Sequence, residues 1–398
     1  MYFSHLVFYF LLDLSSKRLY NKWVNQGDIM AGIYVHVPFC KSKCTYCDFA
    51  SFPKEICKTE SYFACLYREL KGRGEQLKDK KFNTVYIGGG TPSIVPAKFI
   101  AGTIRRIKEC FNLDENAEIT IEINPGTVDK EKIAEYLSVG INRFSIGLQT
   151  GFDDQLKRLN RIHTAKDFLE CCNLLKGQNI SADILLGLHD QTLEQVKKSI
   201  DLAIAGGVSH ISTYALTPEV GTPIYNDYLN GELLSDDEVA DIYDGVREYL
   251  KEKGFFRYEV SNFAKVGFES KHNYNYWERG EYIGCGVAAS SFINNRRFTN
   301  TFNIDEYINL VILNKTPEIS SDEVTGDDAR FESIMLALRT EKGLDIEKFN
   351  KEFNADFLSD YKSALSKKGK FMDVDEKTAK IKEEYVFVQN DIIMEFMK

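Results

Sequence analysis

The chain has 398 residues, 43% of them hydrophobic, and a formal net charge of −9 at pH 7. That is ample apolar material for a packed core and more length than one average domain, so a large domain with a smaller companion is expected rather than a disordered chain. The acidic balance argues against a nucleic-acid partner, since phosphate binding wants a basic face.

Residues 1–29 are the first puzzle. The apolar run Leu6–Leu12 holds seven residues, against the roughly 20 needed to span a bilayer. No basic stretch or small-residue cleavage site marks a secretory signal. Gln26-Gly27-Asp28 can be encoded by codons resembling a ribosome-binding site, and Met30 follows at once. The expectation is a non-native or mis-started extension with translation beginning at Met30; the alternative is an aromatic anchor lying on a membrane surface.

From Gly32 onward, β-rich runs alternate with helix-period segments. The strands are expected at Gly32–Val37, Thr84–Ile87, Glu118–Ile123, Arg143–Leu148, Ile180–Leu188 and His210–Leu216. Between them, Ser61–Leu77, Pro96–Cys110, Asp129–Val139, Thr164–Lys176 and Leu193–Ala205 carry helical periodicity. Strand–helix alternation implies parallel strands with right-handed crossovers. Six units predict an α/β fold, an incomplete (β/α)6 relative of the eight-fold barrel, over residues 30–235. Residues 236–324 are expected to cover the barrel. Residues 325–398 are expected to form a small helical, winged-helix-like domain whose terminal hairpin lies near Ala379–Val388.

The chemistry is expected where strands end and loops begin. After the first strand comes His36-Val-Pro-Phe-Cys40-Lys-Ser-Lys-Cys44-Thr-Tyr-Cys47. This Cys-x3-Cys-x2-Cys loop offers three thiolates to a [4Fe–4S] cluster and leaves one iron with an open position. In one large enzyme class that position takes the amino and carboxylate groups of S-adenosylmethionine (SAM), whose sulfonium is cleaved by reduction through the cluster. Zinc would need a second cysteine pair at ribbon spacing, and a disulfide framework would need a small secreted chain. Neither condition is met. The other six cysteines, Cys57, Cys65, Cys110, Cys171, Cys172 and Cys285, read as buried structural thiols in a reducing compartment.

Gly88-Gly89-Gly90 follows the second strand, where glycine lets backbone approach a ligand closely. The plainer alternative is a tight turn. Glu122 on the third strand would be an inward carboxylate, costly to bury unpaired. Gln149, Arg161 and Asp183 are similar cases. His36 reads as a packing residue rather than a ligand.

Several ordered motifs resemble the coproporphyrinogen-oxidase-like branch of radical SAM proteins. They are Tyr34-Val-His-Val-Pro-Phe-Cys40, Gly88-Gly-Gly-Thr-Pro-Ser93, Glu122-Ile-Asn-Pro-Gly126, Ser145-Ile-Gly-Leu-Gln149, Leu159-Asn-Arg161, Asp183-Ile-Leu-Leu-Gly187 and Arg257-Tyr-Glu-Val-Ser-Asn262. Within the branch, oxygen-independent coproporphyrinogen III oxidases carry a fourth cysteine where Phe49 stands. The heme chaperones of the HemW type carry a His-Asn-x-x-Tyr-Trp signature, present as His272-Asn-Tyr-Asn-Tyr-Trp277. The chain is therefore similar to the HemW-type family. That resemblance implies a cluster on Cys40, Cys44 and Cys47, and SAM contacts from Tyr34, Gly89, Gly90, Thr91, Glu122, Gln149, Arg161, Asp183 and Ala215. It also implies bound heme, with His272 as candidate axial ligand and Trp277 stacking on the macrocycle, or else both simply packing the barrel against the tail. Transfer to heme-accepting respiratory proteins, membrane-associated ones included, would follow from a cytoplasmic or peripheral location. The competing function is radical oxidative decarboxylation of coproporphyrinogen III.

Two departures from the family pattern stand out. Ser290 occupies a position that often holds histidine, and Leu188-His-Asp-Gln191 replaces a Leu-Pro-Gly-Gln turn.

Overall fold

The computed structural model describes residues 31–397. The expectations for residues 1–29 and for a start at Met30 lie outside the described residues. Six parallel strands form the centre of one sheet: β1 (Ala31–Val37), β2 (Lys81–Gly89), β3 (Asn112–Ile123), β4 (Arg143–Gln149), β5 (Asn179–Leu186) and β6 (His210–Ala215). Helices α1 (Thr59–Gln76), α2 (Ala97–Cys110), α3 (Lys130–Ser138), α4 (Asp153–Arg158), α5 (Ala165–Leu174) and α6 (Leu193–Ala205) make the crossovers. The local chemistry explains their starts. Asp129 accepts the Lys132 amide ahead of α3, while Thr164 with Asp167 and Thr192 with Gln195 form reciprocal capping boxes ahead of α5 and α6.

Strand alternation sorts the side chains into two populations. Ile33, Val35, Val37, Val85, Ile87, Ile121, Phe144, Ile146 and Leu148 point outward and are buried under the helices. Each such aliphatic chain removed from water contributes about 1.5–3 kcal/mol before the entropy of ordering it is subtracted. The opposite face carries Tyr34, His36, Tyr86, Glu122, Ser145 and Asp183, polar groups that apolar packing alone would not select.

Beyond β6 the chain widens the sheet at both edges, which the strand pattern did not foretell. After α7 (Ile224–Leu229) and α8 (Asp236–Glu252), short strands β7 (Phe256–Arg257) and β8 (Asn262–Ala264) add antiparallel to β6. Helix α9 (Lys271–Trp277) then leads to β9 (Glu281–Cys285), which pairs parallel to β1 at the other edge. Strands β10 (Ser290–Ile293) and β11 (Arg296–Asn300), helix α10 (Ile304–Ile312) and β12 (Glu318–Glu323) complete a twelve-stranded sheet ordered β12-β11-β10-β9-β1-β2-β3-β4-β5-β6-β8-β7.

The C-terminal unit has its own core. Helices α11 (Gly326–Ala337), α12 (Ile346–Phe353), α13 (Phe357–Asp360) and α14 (Lys362–Lys368) bury Ile334, Phe349, Phe357 and Tyr361 around a three-stranded sheet. That sheet combines β13 (Leu344–Asp345) with the hairpin of β14 (Met372–Val374) and β15 (Thr378–Ile381). The expected hairpin run to Val388 is corrected: β15 stops at Ile381, and a final helix α15 (Gln389–Ile393) follows, so the wing is not terminal. Ile392 and Phe396 enter the same core, which explains why the tail turns back instead of extending the wing.

Candidate functional site

The carboxyl ends of β1 to β4 meet at one mouth. There the cysteine loop hangs between β1 and α1, tied down by the Phe52 amide donating to Pro38 O at 2.7 Å and by the Asn160 side chain donating to Lys43 O at 2.8 Å. Cys40, Cys44 and Cys47 are all unpaired thiols. Burial pushes the Cys40 thiol up, and pushes Cys47 up to about 11, with each of the other two sulfurs repelling a further thiolate. Cys40 and Cys47 so placed resist ionising unless a cation offsets them, and with Cys44 they make a donor set that an iron–sulfur cluster suits.

Glycines open the wall opposite. A Cβ on Gly90 would lie 2.7 Å from Phe39 O and 3.0 Å from the Cys40 sulfur, and Gly89 adopts φ +116° against the His36 ring. Gly147 is a third such position, where a Cβ would meet Gln149 Nε2 at 2.8 Å, Arg161 Nη2 at 2.9 Å and Asn124 Oδ1 at 3.2 Å. Gln149 itself takes φ +67°, a strained conformation for a residue with a side chain, at the turn ending β4.

The polar groups are linked. Arg161 donates through Nη2 to Asn124 Oδ1 at 2.5 Å and Gly147 O at 2.9 Å, and through Nη1 to the Cys44 sulfur at 3.6 Å. Asn124 donates to Thr91 Oγ1 at 3.0 Å, and Thr91 donates to the Cys40 sulfur at 3.5 Å. Glu122 accepts from Tyr86 Oη at 2.9 Å and from the Gly89 amide at 3.1 Å. Burial, with the nearby Asp183 carboxylate adding to it, outweighs those bonds and pushes Glu122 up to about 7. Asp183, held by Ser145 at 3.3 Å, is raised by burial as well. Arg161 Nε is buried without a hydrogen-bond partner, as are the Thr45 and Ser51 hydroxyls of the loop. A ligand carboxylate would satisfy Arg161 Nε, so the mouth fits an amino-acid-bearing nucleotide beside three thiols.

The sequence-predicted residues fall into two groups. Cys40, Cys44, Cys47, Gly89, Gly90, Thr91, Glu122, Gln149 and Arg161 come together at the mouth. Asp183 faces the same lumen, Ala215 closes β6 opposite Leu186, and Tyr34 sits deeper, its hydroxyl 3.0 Å from His36 Nδ1. His36 completes its bonding through Nε2 with Ala50 O at 2.8 Å, the packing role expected of it. Asn124 lies at the chemistry-bearing end of the third strand, as the sequence placed it, but its role was missed. Its place in the Glu-Ile-Asn-Pro run was visible, but its two-sided bonding needs Thr91 and Arg161 brought together from distant segments.

His272 and Trp277 lie away from this mouth, and the structure shows them packed. Helix α9 docks at the amino ends of β1 to β3, where Glu118 accepts the Lys271 and His272 amides at 3.2 and 3.0 Å. His272 is 1% exposed; Nδ1 bonds Thr84 Oγ1 and Nε2 bonds Tyr276 Oη, each at 2.8 Å, and the ring stacks on Tyr86. Both ring nitrogens are hydrogen-bonded, the packing arrangement that the sequence left open beside ligation. Trp277 packs with Val260 and Leu336, joining the barrel to the C-terminal unit. Two of the six other cysteines depart from the expected burial: Cys57 is exposed just ahead of α1, and Cys110 at the end of α2 is half-buried. The altered turn places Asp190 at φ +51°, with Gln191 Oε1 accepting the Gly187 amide at 2.9 Å and His189 bonding Asp227 at 3.0 Å. Ser290 bonds Thr299 across β10 and β11.

Comparisons with known proteins agree with this architecture. The radical SAM superfamily model matches residues 34–203, and the HemN C-terminal domain model matches residues 324–369. Among solved structures, coproporphyrinogen III oxidase (HemN) from Escherichia coli superposes with a TM-score of 0.82 over 98% of this chain and 95% of that one, at 20% identity, so the likeness is one of fold. The heme chaperone HemW of Lactococcus lactis is 34% identical over 330 residues, covering 81% of this chain and 85% of the relative. That of Bacillus subtilis is 32% identical over 330 residues, 81% and 87% respectively. On this likeness, with the barrel and wing beneath it, the chain belongs to the HemW family of radical SAM proteins.

Proposed function

We propose that this protein is a heme chaperone. It carries a [4Fe–4S] cluster on Cys40, Cys44 and Cys47, binds SAM beside the cluster, and holds heme for transfer to respiratory proteins. The observation that carries the reading is the three-thiol loop facing the Asn124–Arg161 network, with Phe49 standing 55% exposed where the oxidase branch holds a fourth cysteine. A cluster on three thiolates leaves one iron open, the position through which the superfamily delivers an electron to a sulfonium.

The chain's own residues would prepare that ground. Gly89 and Gly90 allow backbone to approach the ligand, Arg161 Nε offers an unsatisfied donor, and Glu122 and Asp183 supply carboxylates near a cation or a ribose hydroxyl. Among the described residues no helix is long and apolar enough to cross a membrane. Nine unpaired thiols support a reducing, cytoplasmic setting with contact at the membrane surface only during delivery.

Anaerobic reconstitution should yield iron and sulfide in the ratio of a cubane, and the reconstituted protein should take up heme stoichiometrically. Conversion of coproporphyrinogen III to protoporphyrinogen at enzymatic turnover would overturn the chaperone assignment. Zinc alone, or neither iron nor sulfide, would overturn the cluster assignment.

A further inference from the structure

The Asn124 amide stands between two hydrogen-bond donors that each end on a different cysteine sulfur. On one side Arg161 gives Nη2 to Asn124 Oδ1, and its other terminal nitrogen reaches Cys44 at 3.6 Å. On the other, Asn124 Nδ2 donates to Thr91 Oγ1, and the Thr91 hydroxyl reaches Cys40 at 3.5 Å. A guanidinium only donates, so the amide oxygen must face Arg161 and the NH2 must face Thr91. That orientation has a consequence at each end. Because Asn124 fills a lone pair of Thr91 Oγ1, the single hydroxyl hydrogen is directed onto sulfur. Because Nη2 is held by Asn124 and by Gly147 O, Nη1 is aimed at Cys44. Among the described residues Cys47 has no such side-chain donor; the Phe49 amide serves it.

We propose that Asn124 is a positioning residue that fixes Thr91 and Arg161 as donors to the sulfurs of Cys40 and Cys44, and thereby raises the reduction potential of the cluster they hold. Reduction adds negative charge that spreads onto the ligand sulfurs, so donors aimed at those sulfurs stabilise the reduced state more than the oxidised one. A carboxamide offers a donor and an acceptor at once without depending on protonation state. The proposal rests on the cluster assignment above.

The test is a potentiometric titration of the anaerobically reconstituted full chain, without SAM, following the electron paramagnetic resonance signal of the reduced cluster. Asn124→Leu keeps the branched shape and removes both ends of the link; Thr91→Val removes one donor. Both midpoints should move to more negative potential, Asn124→Leu further. The double variant should shift by less than the two single shifts added, because Thr91 acts through Asn124's hold on it. A fully loaded Asn124→Leu protein with an unchanged midpoint would overturn the proposal. Should that variant fail to assemble, an unchanged midpoint in Thr91→Val would do the same. A wild-type chain that takes up no iron or sulfide would remove the cluster assignment itself, an outcome distinct from a cluster whose potential ignores residue 124.

Discussion

His272 shows how a motif can be right about a family and silent about a residue's task. Its ring is closed in by Thr84, Tyr276 and Tyr86, and burial holds its pKa down to about 3, so it is a neutral packing group. His272→Ala should destabilise the protein by about 2–4 kcal/mol, through the lost packing and two stranded hydroxyls. Heme uptake measured at the Soret band below the melting range should persist; its loss in a folded variant would restore His272 as the ligand. Glu122 allows a second prediction with a definite sign. Its folded pKa of about 7 lies above the ordinary 4.5, so the folded apoprotein binds more protons across that window. The protonated carboxyl's contribution is complete below about 4.5 and is lost as pH rises through 7. Buried neutral histidines act in the opposite sense, so the informative quantity is a difference. From pH 5 to 8, the melting temperature of wild type should fall relative to Glu122→Gln, and parallel profiles would refute the shift. At this scale Cys40, Cys44 and Cys47 were legible because spacing alone constrains a multi-iron ligand set. The part played by Asn124 was not, because it is defined by neighbours 33 and 37 positions away in the chain.

Among the elements, the six central strands could be read from the sequence because each is a short β-branched run with a periodic helix behind it. Strands β9 to β12 could not. The run Glu318–Glu323 is almost wholly polar and exposed, and its strand character comes from pairing with β11, not from burial. The short β7 and β8 are likewise tertiary products, set by β6's open edge. Just after β9, Gly286 passes close to the end of β1 that leads into the cysteine loop. It adopts φ +104°, and a Cβ there would sit 2.4 Å from Tyr62 Oη and 2.8 Å from His36 O. Gly286→Ala should therefore cost about 2–4 kcal/mol, more than a surface glycine substitution. Chemical denaturation of the apoprotein measures this, and a loss below about 0.5 kcal/mol would show that the crossing is slack.

Across the whole molecule, the barrel and the C-terminal unit share a seam rather than a linker. Glu259 and Thr340 form a backbone bridge, Trp277 packs on Leu336, and Arg279 reaches Glu332 and Glu352. Glu259 is fully buried, pushed up to about 7 by desolvation, and satisfied by Asn262 and the Ser261 amide. Such a seam should make the two cores unfold together. Scanning calorimetry of the apoprotein is expected to show one transition, and Leu336→Ala should lower it as a whole by about 2–4 kcal/mol. Two resolved transitions would mean that each core stands on its own. The sequence marked a boundary near residue 325 from its change of pattern. The seam itself was illegible, because Val260, Trp277 and Leu336 each read as ordinary hydrophobic residues in separate segments.

Strand β1 has one further property of note. It is hydrogen-bonded to β2 on one side and to β9 on the other, so the strand that leads into the cysteine loop lies in the interior of the sheet and not at its rim. Backbone amides of residues 32–37 should rank among the slowest to exchange with heavy water whether or not iron is present. A scaffold anchored in that manner is expected to lose its iron to oxygen and to be refilled while it stays folded.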